Sequence, residues 1–137
     1  MSALSRRPQT IHEVSVRVRD GVQTFDAALR EFLDTFYSYP ELREEALRTC
    51  PVPLDDLRDA YLAATAEHLA QCHGMAIPEW SENYGCRLKR PFFAGGLESM
   101  KARLMVESPA AFRRRMLFVS KNALFRPRAP HDVAAGG

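Results

Sequence analysis

The chain has 137 residues, of which 46% are hydrophobic and 26% are charged, and its formal net charge is +2. This length fits one domain with an ordinary hydrophobic core, and three cysteines without a CxxC spacing favour reduced thiols in the cytoplasm. No apolar run is long enough to span a membrane, and no apolar segment follows the first arginines as it would in a secretory signal.

The chain is expected to begin with a flexible leader, residues 1–9, followed by a short first helix. Thr10 and Glu13 match the capping box, in which a threonine hydroxyl and a glutamate three residues later bind free amides at a helix start. Gly21 supplies a stop, because glycine readily takes the left-handed conformation that often ends a helix. The folded domain is therefore expected to begin at residue 10.

The second helix has the clearest apolar pattern in the chain. Thr24 can cap it, and the apolar residues between Phe25 and Phe36 recur at the three- and four-residue spacing of one helix face. We expect this face, with a fully buried Phe32 at its centre, to pack against a later helix. The contacts should be made by that helix's apolar side chains Leu57, Tyr61 and Leu69.

Two more helices are predicted before residue 75. A short one should cover about residues 41–48, since Pro40 ends the preceding helix and suits the first position of the next. A long one should carry Asp55 or Asp56 in its first turn, because acidic side chains favour the positive end of the helix dipole, and should run to His73.

The region after residue 75 is expected to be less regular. Prolines and glycines interrupt residues 75–96, which should form a long loop held to the core by its aromatic side chains. A fifth helix is predicted over residues 97–106, with Leu97 on its buried face, and the tail, residues 125–137, should be disordered. The expected fold is all-α, a single compact domain of five to six helices spanning residues 10–124.

Three consecutive arginines follow the start of a predicted last helix. Ser108 is expected to cap that helix, Pro109 to occupy its first position, and Phe112 to point inward. Successive residues of a helix point about 100° apart, so three arginines cannot all face one target. One of them should pack along the core or pair with a buried carboxylate, and at least one should reach solvent.

Charge is divided unevenly along the chain. Residues 1–86 carry 8 Lys and Arg against 14 Asp and Glu, whereas residues 87–128 carry 11 against 2. The leading hypothesis is a non-enzymatic module that binds another protein with an acidic surface. The simpler alternative is that these charges form ion pairs within the molecule. The residues expected to contact the partner are Arg87, Lys89, Arg90, Arg113, Arg114 and Arg115.

Nucleic-acid binding by residues 87–128 is the alternative hypothesis. Phosphate contacts by these cations would make the affinity fall steeply with salt. The predicted helices on either side of Glu107 and Ser108 could also form a helix–turn–helix, although the second would be short and lacks asparagine or glutamine residues to contact bases.

A weak candidate for metal binding or catalysis lies near the end of the long helix. His68 and Cys72 are four residues apart and share a helix face, and with Cys86 they could supply three zinc ligands. The same histidine and cysteine could form a nucleophile pair, but no third orienting group is evident. The chain also lacks the GxSxG, P-loop, GxGxxG and HExxH motifs, so neither an enzyme nor a cofactor is expected.

Three segments together resemble a family of small uncharacterised bacterial proteins. They are EFLDTFY at 31–37, PEW followed by RPFF within 78–93, and ESPAAFRRRMLFVSKNAL at 107–124. The resemblance covers roughly residues 10–125 and implies no catalytic residue. It does imply a genetic setting, since genes of this kind often lie beside a nucleotidyltransferase-like gene in a toxin–antitoxin-like arrangement.

Overall fold

The computed structural model describes residues 7–83 and 88–126, and within them the chain is mostly helical. This confirms the all-α prediction and the single compact domain, although the described residues form seven α-helices where five to six were expected. The elements, in chain order, are α1 (Ile11–Arg19), α2 (Phe25–Ser38), α3 (Arg43–Arg48), α4 (Asp56–Cys72), α5 (Trp80–Asn83), β1 (Phe92–Phe93), α6 (Lys101–Glu107), α7 (Ala110–Arg113) and β2 (Leu117–Phe118). No helix among the described residues is long and apolar enough to cross a membrane.

The predicted caps Thr10 and Thr24 are confirmed; of the two aspartates expected in the first turn of the long helix, Asp56 lies there and Asp55 is the cap. The Thr10 hydroxyl accepts a hydrogen bond from the Glu13 amide at 3.0 Å, and Thr24 and Asp55 accept the equivalent bonds at the starts of α2 and α4. The return bond of the capping box differs, because the Glu13 carboxylate accepts from the amide of Gln9 at 3.1 Å. Each of these bonds joins residues three or four positions apart, which is why local sequence predicted the helix starts.

At both ends of the domain, residues beyond the predicted limits of 10 and 124 contact the rest of the structure. Pro8, which the sequence placed in the leader, is fully buried, and residues 1–6 lie outside the described part. At the other end Arg126 Nε lies 2.8 Å from the Asp34 carboxylate of α2. The rest of the predicted disordered tail, residues 127–137, falls outside the described residues.

The apolar face of α2 forms the centre of the core, as predicted. Phe32 is fully buried and shares one core cluster with Leu69 of α4, while Phe25 meets the ring of Tyr61 edge-on at 5.7 Å. The prediction for Leu57 is wrong, since 36% of it is exposed. It lies beside an open groove between the starts of α2 and α4, where no core closes over it.

The segment 75–96 is more structured than a loop. It contains α5 and β1, and Trp80 Nε1 donates to the Leu47 carbonyl at 2.9 Å. β1 pairs with β2 in parallel, with Phe92 opposite Leu117 and Phe93 opposite Phe118. Two-residue strands are too short to show an alternating pattern, so the sequence did not predict them.

The end of the domain departs most from the predicted helices. A 3₁₀ turn at Glu98–Met100 leads into α6, and α7 has only four residues before the chain turns at Met116, whose φ is 64°. The helix–turn–helix prediction is therefore wrong, because α7 is too short to act as a recognition helix.

Ser108 does not cap α7, and that prediction is wrong as well. Its buried hydroxyl donates to the Leu104 carbonyl at 2.6 Å and accepts from the Val119 amide at 2.8 Å. Pro109 takes the cap position of α7 without a side-chain bond. Ser108 thus joins the end of α6 to the residue that follows β2.

Candidate docking surface

Arg115, one of the predicted partner-binding residues, is buried. Its Nη1 lies 2.7 Å from the Glu67 carboxylate of α4, and its Nη2 donates to the Ser81 carbonyl at 2.9 Å. A third bond runs from Nη1 to the carbonyl of Ala111. Arg115 is therefore a structural residue, as the sequence predicted for one member of the triplet, and its assignment to the docking surface is wrong.

Arg114 is half-exposed but its charge is compensated. Its Nη2 lies 2.8 Å from the carboxylate of Glu67 and 3.2 Å from that of Glu82. The guanidinium therefore joins α4 to the segment containing α5. Arg114 borders the surface but has less capacity to bind a partner than an unpaired arginine would.

Arg113 is the member of the triplet that faces solvent. Its Nη1 approaches the carbonyl of Val106, at the end of α6, at 3.5 Å, and it makes no ion pair with the described residues. The exposure of one arginine is therefore confirmed. Arg113 lies where its charge can meet an incoming group.

Lys89 and Arg90 are also exposed, on the neighbouring segment. The Leu88 amide donates to the Arg115 carbonyl at 3.2 Å, so the chain that carries these two cations lies beside the end of the arginine triplet. Neither side chain forms an ion pair within the described part of the chain. Arg87, also predicted to bind the partner, lies outside the described residues.

Sequence reasoning missed three exposed apolar side chains on α6 and on the segment before it. Leu97, Met105 and Val106 are 61%, 51% and 80% exposed, and Leu104 is the buried residue of α6. We call these three exposed side chains the α6 patch. The expected burial of Leu97 is wrong, because the chain at Leu97 precedes a 3₁₀ turn and is not part of the helix.

A signal for the α6 patch was present in the sequence. Leu104, Met105 and Val106 are consecutive, and successive side chains of a helix diverge by about 100°. They cannot all enter one core, so at least one of them had to face outward. Met105 and Val106 are both exposed and adjacent in the chain, and clustered exposed apolar side chains are typical of interaction sites, whereas single ones are common.

Glu107, the acidic residue of α6, forms hydrogen bonds with two neighbouring residues. Glu107 accepts hydrogen bonds from Arg103 Nε at 3.0 Å and from the Lys121 amide at 3.2 Å. The hydrogen bond from Arg103 and, to a smaller extent, the one from the Lys121 amide lower the pKa of Glu107. Its negative charge is therefore directed to Arg103 and the chain after β2, and no ion pair links it to Arg113.

The predicted histidine and cysteine do come together. Cys72 Sγ lies 3.5 Å from His68 Nε2, and burial lowers the pKa of His68. The third proposed zinc ligand, Cys86, lies outside the described residues. Within residues 7–83 and 88–126 no group of three metal-binding side chains has the spacing to hold an ion.

A cleft of about 910 Å³ lies between α3 and residues 73–80. The Arg43 side chain on its wall donates to the carbonyls of Phe36 at 2.8 Å and Tyr37 at 3.2 Å. Its guanidinium also lies 5.1 Å from the centre of the Phe36 ring. Because backbone carbonyls and an aromatic ring hold it, Arg43 stabilises the junction between α2 and α3.

Comparison with known proteins gave no match. No protein-family model, no curated protein and no solved structure matches the chain. Its function has to be inferred from its own residues.

Proposed function

We propose that this protein is a non-enzymatic binding module that docks an acidic partner protein on the α6 patch and the cations beside it. The proposal rests on the position of Arg113, whose Nη1 lies 3.5 Å from the carbonyl oxygen of the exposed Val106. The Arg113 side chain forms no ion pair within the described residues. Stable interfaces combine a desolvated apolar centre with a charged, complementary rim. The α6 patch supplies the apolar centre, and Arg113 supplies part of the rim.

Lys89 and Arg90 extend the positive rim on the neighbouring segment. Carboxylates on the partner would bind these cations and Arg113, while an apolar side chain of the partner would cover Val106 and Met105. The positive charge would mainly speed association and choose among partners, and the apolar contact would slow dissociation. Binding should therefore weaken with salt without being abolished by it.

The family resemblance suggests a concrete partner. We propose the protein encoded by the neighbouring gene, a nucleotidyltransferase-like protein in the arrangement that the resemblance implies, with this protein as the antitoxin-like member. The proposal needs no catalytic group on this chain.

Nucleic-acid binding is the alternative, and the contacts favour it less. Glu67 pairs with both Arg115 and Arg114, and Glu82 pairs with Arg114 as well, so two of the cations that the sequence offered for phosphate are already engaged. An apolar patch as exposed as Val106 is suited to another protein's surface more than to a phosphate backbone.

The test is co-purification with the neighbouring gene product, followed by calorimetric measurement of Kd. Val106→Asp with Arg113→Glu should weaken binding by at least about tenfold, since both an anchor and a rim charge are lost. Arg30→Glu is the matched control, because Arg30 is an exposed arginine on α2 that makes no ion pair with the described residues. Unchanged binding by the double variant, with its melting temperature preserved, would refute the α6 surface. Binding to mixed DNA and RNA that is stronger than to the protein would favour the alternative.

A further inference from the structure

A second surface site lies between the starts of α2 and α4. It is a groove of about 850 Å³, a volume within the usual range of ligand sites, and β1 closes one side of it. Its apolar walls are formed by Phe25, Leu29, Leu57, Tyr61 and Phe92. We call it the α2–α4 groove, and none of the residues of the α6 patch lines it.

One aromatic wall of the groove already holds a guanidinium. Phe25 and Tyr61 meet edge-on with their planes at 90°, and Arg58 Cζ lies 5.9 Å from the centre of the Phe25 ring. The negative face of an aromatic ring attracts a cation, and arginine does this more often than lysine. Asp55 binds this guanidinium, so the positive charge of Arg58 is compensated within the wall.

Two polar groups at the groove have no partner in the described part of the chain. The Asp26 carboxylate and the Tyr61 hydroxyl form neither a hydrogen bond nor an ion pair there, whereas Asp55 both caps α4 and binds Arg58. Burial, with the nearby charge of Asp26, raises the pKa of Tyr61 to about 12. The hydroxyl is therefore neutral at physiological pH, and its oxygen and the carboxylate can both accept hydrogen bonds.

We propose that the α2–α4 groove binds an arginine side chain from an apolar segment of a partner protein. The Asp26 carboxylate accepts hydrogen bonds from the guanidinium, and the apolar walls of the groove pack against the methylene groups of the arginine side chain. Arginine suits this site better than lysine, because its planar guanidinium can bind a carboxylate through two N–H groups. The exposed Leu57 at the edge of the groove can pack against an apolar residue next to the arginine, which a free guanidinium compound lacks.

The test is an NMR titration of the full chain with acetyl-Leu-Arg-Leu-amide. Shifts should concentrate on amides of residues 24–29, 57–61 and 92–95. The same peptide with citrulline in place of arginine has the same shape without the charge, and it should bind more weakly by about fivefold, the upper end for a solvent-exposed ion pair. N-acetyl-arginine-amide should bind more weakly than the tripeptide, because it offers nothing to Leu57.

Asp26→Asn and Asp56→Asn form a matched pair of variants. Both carboxylates are exposed and lie in the first turn of a helix, but Asp56 does not line the groove. Asp26→Asn should reduce the affinity for the arginine peptide to that for the citrulline peptide, and Asp56→Asn should leave it nearly unchanged.

Three results would overturn the proposal. Shifts that avoid the groove would place the peptide elsewhere. Equal binding of the arginine and citrulline peptides, or an equal loss in the two aspartate variants, would show that no specific ion pair forms with Asp26. Binding of N-acetyl-arginine-amide as tight as that of the tripeptide would assign the groove to a small guanidinium compound. None of these outcomes bears on the α6 patch, so the two proposals can fail separately.

Discussion

Arg115 and Glu67 form an ion pair inside the protein, with 2.7 Å between Nη1 and Oε1 and only 5% and 4% of the two side chains exposed. Buried charges need such partners, because water is not available to solvate them. The pair joins the turn after α7 to the middle of α4. It explains why one arginine of an apparently basic surface stretch cannot take part in binding.

Arg115→Met should destabilise the protein by about 3 kcal/mol, because it leaves the Glu67 carboxylate buried with only Arg114 as an ionic partner. Urea unfolding measures the loss. Arg113→Met, an exposed neighbour in the same triplet, is the control and should stay within about 0.5 kcal/mol of the parent. Equal unfolding midpoints for the two variants would contradict the structural role of Arg115. Reversing Arg113 and Arg115 together should unfold the domain, so it cannot serve as a test of docking.

Ser108→Ala should cost about 1–3 kcal/mol, because the Val119 amide loses its partner in a buried site, while the Leu104 carbonyl keeps the Ser108 amide. Ser99→Ala provides the control, since Ser99 is exposed and forms no hydrogen bond with the described residues. The two variants can be compared by thermal unfolding. A Ser108 variant as stable as the Ser99 variant would mean that the hydroxyl is not needed to join α6 to the chain after β2.

Phe32→Ala should lower the free energy of unfolding by about 3–5 kcal/mol, because the ring is fully buried and its removal leaves a cavity in the core. Phe125→Ala is the matched aromatic control, with 67% of the side chain exposed. Chemical denaturation of both variants would measure the difference. A small effect at Phe32 would place the centre of the core elsewhere.

Stability should decrease as the pH falls below neutral, through two histidines. Burial lowers the pKa of His68, and burial followed by the charge of Arg43 lowers that of His73, from an ordinary value of 6.5. The folded state therefore binds fewer protons than the unfolded chain in this range. The free energy of unfolding should be highest above 6.5 and should fall as the pH drops from 6.5 towards the folded pKa values.

The dependence can be measured by urea unfolding at a series of pH values on both sides of neutrality. Replacing both histidines with glutamine should make the slope between 6.5 and the lower folded values shallower. NMR titration of the imidazole protons should give midpoints below 6.5 for His68 and His73. Midpoints at or above that value would contradict the burial of these rings.

The helix starts and the main apolar face could be predicted from the sequence alone. Thr10, Thr24 and Asp55 each accept a hydrogen bond from an amide three residues away. Both partners of each bond therefore lie within one short segment of the sequence. The burial of Phe32 followed from the same logic, because helical periodicity places apolar side chains on one face wherever the helix lies. The exposure of one arginine of the triplet was also predicted, but the helical geometry behind that prediction does not extend past Arg113, the last residue of α7.

The site residues were decided by tertiary structure. Arg115 is buried because it pairs with Glu67, which lies 48 residues earlier in the chain. Ser108 does not cap α7 because its hydroxyl binds the amide of Val119, 11 residues later. Leu57 and Leu97 satisfied an apolar pattern but border open surface. Whether a charge is paired or an apolar side chain is covered depends on elements brought together from distant parts of the chain. The local sequence pattern does not show which helix or strand will pack against a given residue. The ion pairing of a charged side chain and the desolvation of an apolar one depend on those neighbours in space.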